Sequence, residues 1–535
     1  MKKKKMAVLF LITAMLLSLL SVCAAAKQDS TKGELPARYD LRELGLVTPV
    51  RSQDGYGLCW AFAVTAAMES NALVRGYGEY DLSEYQIGYI ITHKLARPDS
   101  PIYGEGLRLT SRWTEDPYAA SQCGTYSSNL MRGYAIMTEE RHPFGNVEKG
   151  LYDDGVSTEG DLYVDSCYTV PVCDRDAVKG LIMKNGAVHI LVNASSWTDF
   201  DFVCNKNTGA AYRTNRTKNY LDVDHSVVIV GWDDNYSREN FPTKPPYDGA
   251  WIIKNSWGTD FGDEGYIYLS YYDAFLRQPD SDISFMDNGV MNTFKARSFG
   301  RYCLYASSIT VCKDRPYDRI YQYDGGTGSQ EINNVKSVAM NFKAEAKELI
   351  TGVRIKPYSP QATEAFEGAK ATVKVYKGVF NKEAEAGGEL IYSQDYNIEY
   401  LDYQTIIFDE AIELIKGEEY YVRVDFDRLI PYAVDGYFDF GYTSSEAHGS
   451  QGQTYLKIKD SRSNVDWYDT CAAIPSFSGT ILDTNACIKV LTKNAPKTPL
   501  ELFIIGYNNL LGVEKTCMLL AIASLVGVII FAKKH

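Results

Sequence analysis

Three residue types that can work together on an acyl group stand in order along the chain: Cys59, His225 and Asn255. Cys59 lies in the run Gln53-Asp54-Gly55-Tyr56-Gly57-Leu58-Cys59-Trp60-Ala61-Phe62-Ala63, with Gln53 six positions ahead of it. Glycines precede the cysteine and a helix-forming stretch, Ala61 to Ser70, follows. That layout predicts a thiol at a helix N-terminus, where unpaired backbone N–H groups and the helix dipole favour negative charge. A thiolate is the nucleophilic form of cysteine, and such a position lowers its pKa below the free value of ~8.5. A Gln53 side-chain N–H beside the sulfur would be an electrostatic partner for a developing oxyanion. Taken alone, the same run would also suit a buried structural cysteine.

The elements that must position the other two residues read as strands. His225 opens an apolar, β-branched run, Val227-Val228-Ile229-Val230, and Asn255 closes another, Trp251-Ile252-Ile253-Lys254. A cysteine nucleophile needs a base to take its proton, and the base needs a third group to fix its tautomer. Cys59, His225 and Asn255 supply those three types. His93, His142, His189, His448 and His535 lack such a setting and read as structural or surface residues.

These segments resemble the papain-like cysteine peptidases. Gln53 to Phe62 follows the family's nucleophile motif, and Asp224 to Trp232 follows its histidine motif. Trp251 to Gly258, continued by Phe261-Gly262-Asp263-Glu264-Gly265-Tyr266, follows its asparagine motif. Tyr39-Asp40-Leu41-Arg42, Val47-Thr48-Pro49-Val50, Leu82-Ser83-Glu84 and Asn185-Gly186-Ala187-Val188 echo further landmarks, so the resemblance spans about 35–275. It implies Cys59 as nucleophile and His225 as general base, then acid. Asn255 would orient the imidazole under a shielding Trp257. Gln53 and the Cys59 N–H would form the oxyanion hole, with Asp224 and Trp60 as supporting motif residues. It also implies a thiolate–imidazolium pair, peptide or protein substrates, and no metal or other cofactor.

The chain departs from that pattern at several points. Tyr56 stands where the family has a cysteine, and the region Tyr85-Gln86-Ile87-Gly88-Tyr89-Ile90 lacks its usual partner. Leu58 replaces a serine beside the nucleophile, and Gly124 is a weak match to the glycine pair of the substrate cleft. The nucleophile-to-base spacing of 166 exceeds the ~130–150 expected for the family. The stretches 92–122 and 204–220 are the expected extra loops at the cleft rim. Between Ala26 and Leu35 there is no room for the family's long propeptide, so control by location is expected instead.

Both ends read as targeting segments. Lys2–Lys5, the apolar stretch 6–22 and Ala24-Ala25-Ala26 predict a signal peptide over 1–26. Thr516 to Ala532 carries no charge and precedes Lys533-Lys534, which predicts a transmembrane helix over 516–532 with a short cytoplasmic end. A stalk is expected over 492–515. This places the protein at the cell surface, exported and singly anchored. Of 11 cysteines, Cys123, Cys167, Cys173 and Cys204 form one set of four and Cys303, Cys312, Cys471 and Cys487 another. In an oxidising compartment each set would leave two disulfides, with connectivity open.

Residues 295–492 carry alternating runs such as Ala371-Thr372-Val373-Lys374-Val375-Tyr376 and Tyr420-Tyr421-Val422-Arg423-Val424-Asp425-Phe426. That period-2 pattern predicts an all-β sandwich. Tyr321-Gln322-Tyr323-Asp324, Lys416-Gly417-Glu418 and Asn485-Ala486-Cys487-Ile488-Lys489 are similar to the lectin-like β-domain appended to some prokaryotic papain-like peptidases. A glycan or cell-surface ligand is implied by that likeness; a spacer or specificity module fits it equally. The formal net charge of −13 argues against nucleic-acid binding.

The expected fold is α+β: a two-lobed peptidase with a helical lobe and a β-barrel lobe, then the sandwich, then the membrane helix. The expected function is a membrane-tethered extracytoplasmic cysteine endopeptidase. The alternatives are a surface adhesin or glycan-binding protein with a vestigial peptidase fold, and a transpeptidase using the same acyl-enzyme.

Overall fold

The residues after Leu58 form a helix, Cys59–Val74, because five alanines and no glycine or proline fill its sixteen positions. In the computed structural model every residue from Cys59 to Ala72 is buried, so the helix runs through the interior. It stops at Arg75–Gly76, where Gly76 adopts φ 70° and accommodates the left-handed turn that ends helices. The described residues are 35–92, 107–109, 126–144, 159–214, 223–276, 283–294, 304–324, 330–357, 368–472 and 483–495, with short gaps at 195–196, 199–200, 202, 288–289, 437, 440–442, 446–448 and 461–462. Pro36–Asn494 forms one compact unit.

The helix packs against two strands, His225–Asp233 and Tyr305–Cys312, of a large sheet. The order in that sheet is Ala135–Ile136, Leu162–Pro171, Tyr305–Cys312, Val188–Val192, His225–Asp233, Ala250–Lys254, Tyr266–Ser270 and Ala210–Ala211. Arg38–Asp40 adds to the far end of His225–Asp233. Gly231 permits that addition: a Cβ there would lie 2.3 Å from the Tyr39 carbonyl oxygen. Among the described residues the sheet is open. Its ends are two-residue strands with no pairing between them, so the expected β-barrel lobe is an open sheet instead.

The strand Tyr305–Cys312 lies downstream of the peptidase motifs, yet it hydrogen-bonds between Leu162–Pro171 and Val188–Val192. After it the chain forms a β-sandwich, as its alternation predicts. One sheet has Arg319–Tyr321, Ile488–Asn494, Glu348–Ile355 and Gln404–Leu414. The other runs Glu389–Ile398, Ala369–Lys377, Glu419–Gly436, Gln330–Lys343, Thr454–Lys459 and Val465–Asp469. Val353, Ile406 and Ile488 from the first meet Val338, Val373, Val424 and Leu456 from the second in one core.

Polar groups lock the sandwich onto the peptidase sheet. Arg354 is fully buried, and its Nη1 and Nη2 donate to the carbonyls of Met131 and Val164 at 3.1 and 2.7 Å. Lys356 Nζ donates to Ser128 Oγ at 2.7 Å and lies 3.6 Å from Asp402. Thr169 and Leu401 exchange backbone bonds at 3.0 and 3.1 Å, and Cys167 N–H bonds the Tyr403 carbonyl.

The expected disulfides are absent among the described residues. Cys59, Cys167, Cys204, Cys312, Cys471 and Cys487 are free thiols among the described residues. Cys312 Sγ faces the Tyr163 carbonyl and Cys471 Sγ the Thr470 hydroxyl. Burial pushes the Cys204 and Cys312 thiols up to about 12, which keeps them protonated and inert. Cys123 and Cys303 lie outside the described residues, as do the segments 1–26 and 516–532, most of 492–515, and nearly all of the loop 92–122. Among the described residues no helix is long and apolar enough to cross a membrane.

Arg354→Met should lower stability by about 3 kcal/mol, because it orphans two buried carbonyls and removes charge-assisted bonds. Calorimetry should still show one transition covering both halves, since they share this interface. Two separate transitions in the unsubstituted chain would contradict that coupling.

Candidate active site

Cys59 occupies the first turn of its helix, where its own N–H has no intrahelical acceptor. The preceding residue, Leu58, gives no side-chain cap, so the helix N-terminus stays open beside the sulfur. His225 opens the central strand and Asn255 follows directly after its neighbour Ala250–Lys254. The two strands are antiparallel with Val228 opposite Lys254, which brings His225 and Asn255 together.

His225 Nε2 lies 2.7 Å from Asn255 Oδ1. The same Oδ1 accepts the Ser256 N–H at 2.8 Å, which identifies it as the oxygen of the amide. An oxygen only accepts, so Nε2 carries the proton and Nδ1 is left as the basic nitrogen. Asn255 is held from behind by its own N–H on the Gly265 carbonyl at 3.1 Å. Gly265 has φ 89°, and a Cβ there would meet Val50 at 2.5 Å. Among the described residues Asn255 Nδ2 is buried without a partner, and Asn255 lines a small cavity with Lys254, Glu84 and Thr65.

Trp257 covers the imidazole, with ring centroids 4.7 Å apart and planes tilted by 32°. Phe261 meets Trp257 edge-on at 5.0 Å, and Trp197 stands edge-on to both Trp257 and His225 at 6.2 and 6.4 Å. The three aromatic rings exclude water from the His225–Asn255 bond. Trp197 has no signal of its own in the sequence beyond being a lone tryptophan after a strand, Val188–Val192.

Gln53 is buried and fixed at both ends of its amide. Its Oε1 accepts from Ser256 Oγ at 2.7 Å and its Nε2 donates to the Tyr56 carbonyl at 2.8 Å. The second N–H of Nε2 has no acceptor among the described residues. Asp224 accepts the Ala194 N–H at 2.7 Å, and its charge favours the protonated form of His225. Trp60 is fully buried in the core, its Nε1 without a partner among the described residues, so it packs the helix rather than lining the site.

The sulfur of Cys59 is bonded by groups the sequence does not single out. Burial pushes the thiol up, while the Ser226 backbone, the Trp60 backbone and the Ser226 side chain work the other way and favour its thiolate. Burial holds His225 down to about 4, with Asn255 and Asp224 working the other way. Among the described residues no hydrogen bond joins Cys59 Sγ to the ring. Such bonds commonly tighten only when substrate is present. His142 and His189 are buried away from these residues, and His93, His448 and His535 lie outside the described residues.

Comparisons with known proteins bear on the two halves of the chain. Residues 35–88 and 123–276 match the family model for papain family cysteine proteases, and 320–492 match that of the lectin-like domain. The chain carries a papain-family cysteine protease domain followed by a lectin-like domain. A "Cysteine proteinase" of Trypanosoma brucei brucei is 31% identical over 241 residues, covering 45% of this chain and 44% of that protein. "Cysteine proteinase 1" of Dictyostelium discoideum is 28% identical over 249 residues, covering 45% and 62%. The chain thus spans about half of the curated relatives it matches. Two structures of the clostridial cysteine protease Cwp84 share the fold across both halves. One, determined after propeptide cleavage, has 24% identity, TM-score 0.63, and coverage of 86% of this chain and 99% of that one. The other, of its cysteine protease and lectin-like domains from Clostridium difficile, has 23% identity, TM-score 0.64, and coverage of 86% and 90%.

His189 and His225 of the papain-family domain are both held near 4 by burial, below the ordinary 6.5. The unfolded chain therefore takes up these protons first as pH falls. Their contribution is complete above 6.5 and is lost between there and 4, by roughly 3 kcal/mol per histidine. The thermal midpoint should drop accordingly from pH 7 to pH 4.5, and His189→Gln should flatten part of the drop. A midpoint that stays level over that range would contradict the assignment.

Proposed function

We propose that the chain is a cysteine endopeptidase in which Cys59 attacks, His225 transfers the proton and Asn255 sets the tautomer. The observation that carries this reading is the His225 Nε2–Asn255 Oδ1 bond, sealed by Trp257, on the strand whose next residue bonds the Cys59 sulfur. His225 Nδ1 takes the thiol proton as sulfur adds to the scissile carbonyl carbon. The carbonyl π electrons move onto oxygen, which receives the Cys59 N–H and the uncommitted N–H of Gln53. The oxyanion then collapses, the C–N bond breaks, and His225 gives the proton to the leaving amine. Water, deprotonated by the same nitrogen, cleaves the thioester and restores the thiol.

In this reading substrates are peptides or proteins, and the lectin-like half holds the enzyme near a glycan or cell-surface ligand. Export through 1–26 and anchoring through 516–532 complete the proposal and rest on the sequence of those segments.

A thiolate-directed epoxide probe, mapped by mass spectrometry on the full chain, should label Cys59, and cleavage of a mixed peptide library should vanish in Cys59→Ala. Labelling elsewhere, or cleavage that survives the substitution, would sink the assignment. Gln53→Ala should lower kcat about 10²-fold with little change in KM, because it removes a donor used only in the transition state. A change confined to KM would instead make Gln53 a substrate-binding residue.

A further inference from the structure

Two stretches that the peptidase chemistry leaves without a role, Tyr321–Asp324 and Lys416–Glu418, meet at one cavity in the lectin-like half. It measures about 510 Å³ and is lined by Tyr321, Tyr323, Lys343, Glu345, Lys416 and Gly417. That size lies within the ~300–1,000 Å³ typical of small-molecule sites.

The walls are rigid. Tyr323 is the outer ring of a stack, 5.1 Å from Phe342 with planes 10° apart, and Phe342 lies 5.6 Å from Tyr420. Asn485 Nδ2 donates to the Tyr323 carbonyl at 3.0 Å and fixes the backbone under the ring. Tyr321 donates its hydroxyl hydrogen to Glu348 and accepts the Glu345 N–H at 2.8 Å. The opposite rim is a backbone clasp, with Gly417 N–H on the Ala344 carbonyl at 2.7 Å and Ala344 N–H on the Glu418 carbonyl at 2.9 Å.

Charge at the rim is unevenly committed. Glu345 pairs with Arg319, and Glu418 pairs with Lys377 at 2.9 Å. The Lys343 and Lys416 side chains make no hydrogen bond or ion pair among the described residues. Two uncommitted ammonium groups thus flank an aromatic platform on a chain of net charge −13. Flat aromatic faces stack against the C–H face of sugar rings, and ammonium groups hold carboxylates or phosphates as point charges.

We propose that this cavity binds an anionic saccharide, one ring lying on Tyr323 and its acidic group held between Lys343 and Lys416. The site is separate from Cys59 and needs no catalysis. It therefore stands or falls independently of the peptidase reading.

The test is calorimetric titration of the full chain as Cys59→Ala, which reads binding without cleavage. The probes are hexagalacturonic acid, neutral maltohexaose and hexaglutamate. Hexagalacturonic acid should bind, more weakly as salt rises, and each of Lys343→Ala and Lys416→Ala should weaken it about tenfold. Tyr323→Ala should abolish binding, and the exposed lysine substitutions, which leave the core intact, decide the matter if that variant fails to fold. Maltohexaose and hexaglutamate should bind at least about tenfold more weakly, each lacking one of the two recognised features. No binding of hexagalacturonic acid at millimolar concentration would overturn the proposal. So would equal binding of hexaglutamate or maltohexaose, or affinity unchanged in both lysine variants.

Discussion

The bond from His225 Nε2 to Asn255 Oδ1 exists only while two adjacent strands keep their register. Val228 opposes Lys254, and a slip of one residue would turn His225 and Asn255 to opposite faces. Register is held because His225–Asp233 is buried along nearly its whole length, between Val188–Val192 and Ala250–Lys254. The nucleophile helix adds a third constraint by packing against the same strand. Ser226 ties the two together, since its backbone and hydroxyl reach the Cys59 sulfur while its neighbour His225 reaches Asn255.

Behind this arrangement lies an unusual concentration of buried ionisable groups. Glu69 accepts from the Thr48 hydroxyl at 2.5 Å and from the Leu82 N–H at 2.8 Å, while Lys254 donates to the same Thr48 at 3.0 Å. Burial raises Glu69, pushes Glu84 up to about 8 and lowers Lys254. Glu84 is therefore largely uncharged at neutral pH. A buried carboxylic acid is tolerated there because the neutral form avoids most of the desolvation cost. Lys254 precedes Asn255, so the sequence that delivers the orienting amide also delivers a cation into this interior.

The lectin-like half is joined to the peptidase half through charged side chains as well as apolar surface. Arg354 and Lys356, on and just beyond one strand, enter the first half and bond Met131, Val164 and Ser128. Tyr305–Cys312 completes the connection by lying in the peptidase sheet and packing on the Cys59 helix. The chain is thus interlocked rather than strung as two beads. Charges buried at such a junction penalise loosening, because separation would leave them without partners.

The chemistry was legible in the sequence because it depends on residue type in a local frame. A cysteine ahead of an alanine-rich helix, a histidine opening a β-branched run and an asparagine closing another each declare their element from neighbours alone. The alternation of Val373, Val375, Val422 and Val424 likewise disclosed a sandwich, since a half-buried strand must repeat every second residue. Other features belong to contacts between distant segments. Among the described residues the sheet stays open at its short end strands, and the thiols of Cys167, Cys204 and Cys312 form no disulfide with one another. Counting cysteines cannot reveal that. Trp197 edge-on to His225 and Trp257, Ser226 on the sulfur, the strand Tyr305–Cys312 crossing into the first sheet and the meeting of Tyr323 with Lys416 are equally invisible in one dimension. Local pattern determined which residues could react and which segments would be helix or strand. Tertiary packing decided which of them touch, how deeply they are buried and therefore what charge they carry.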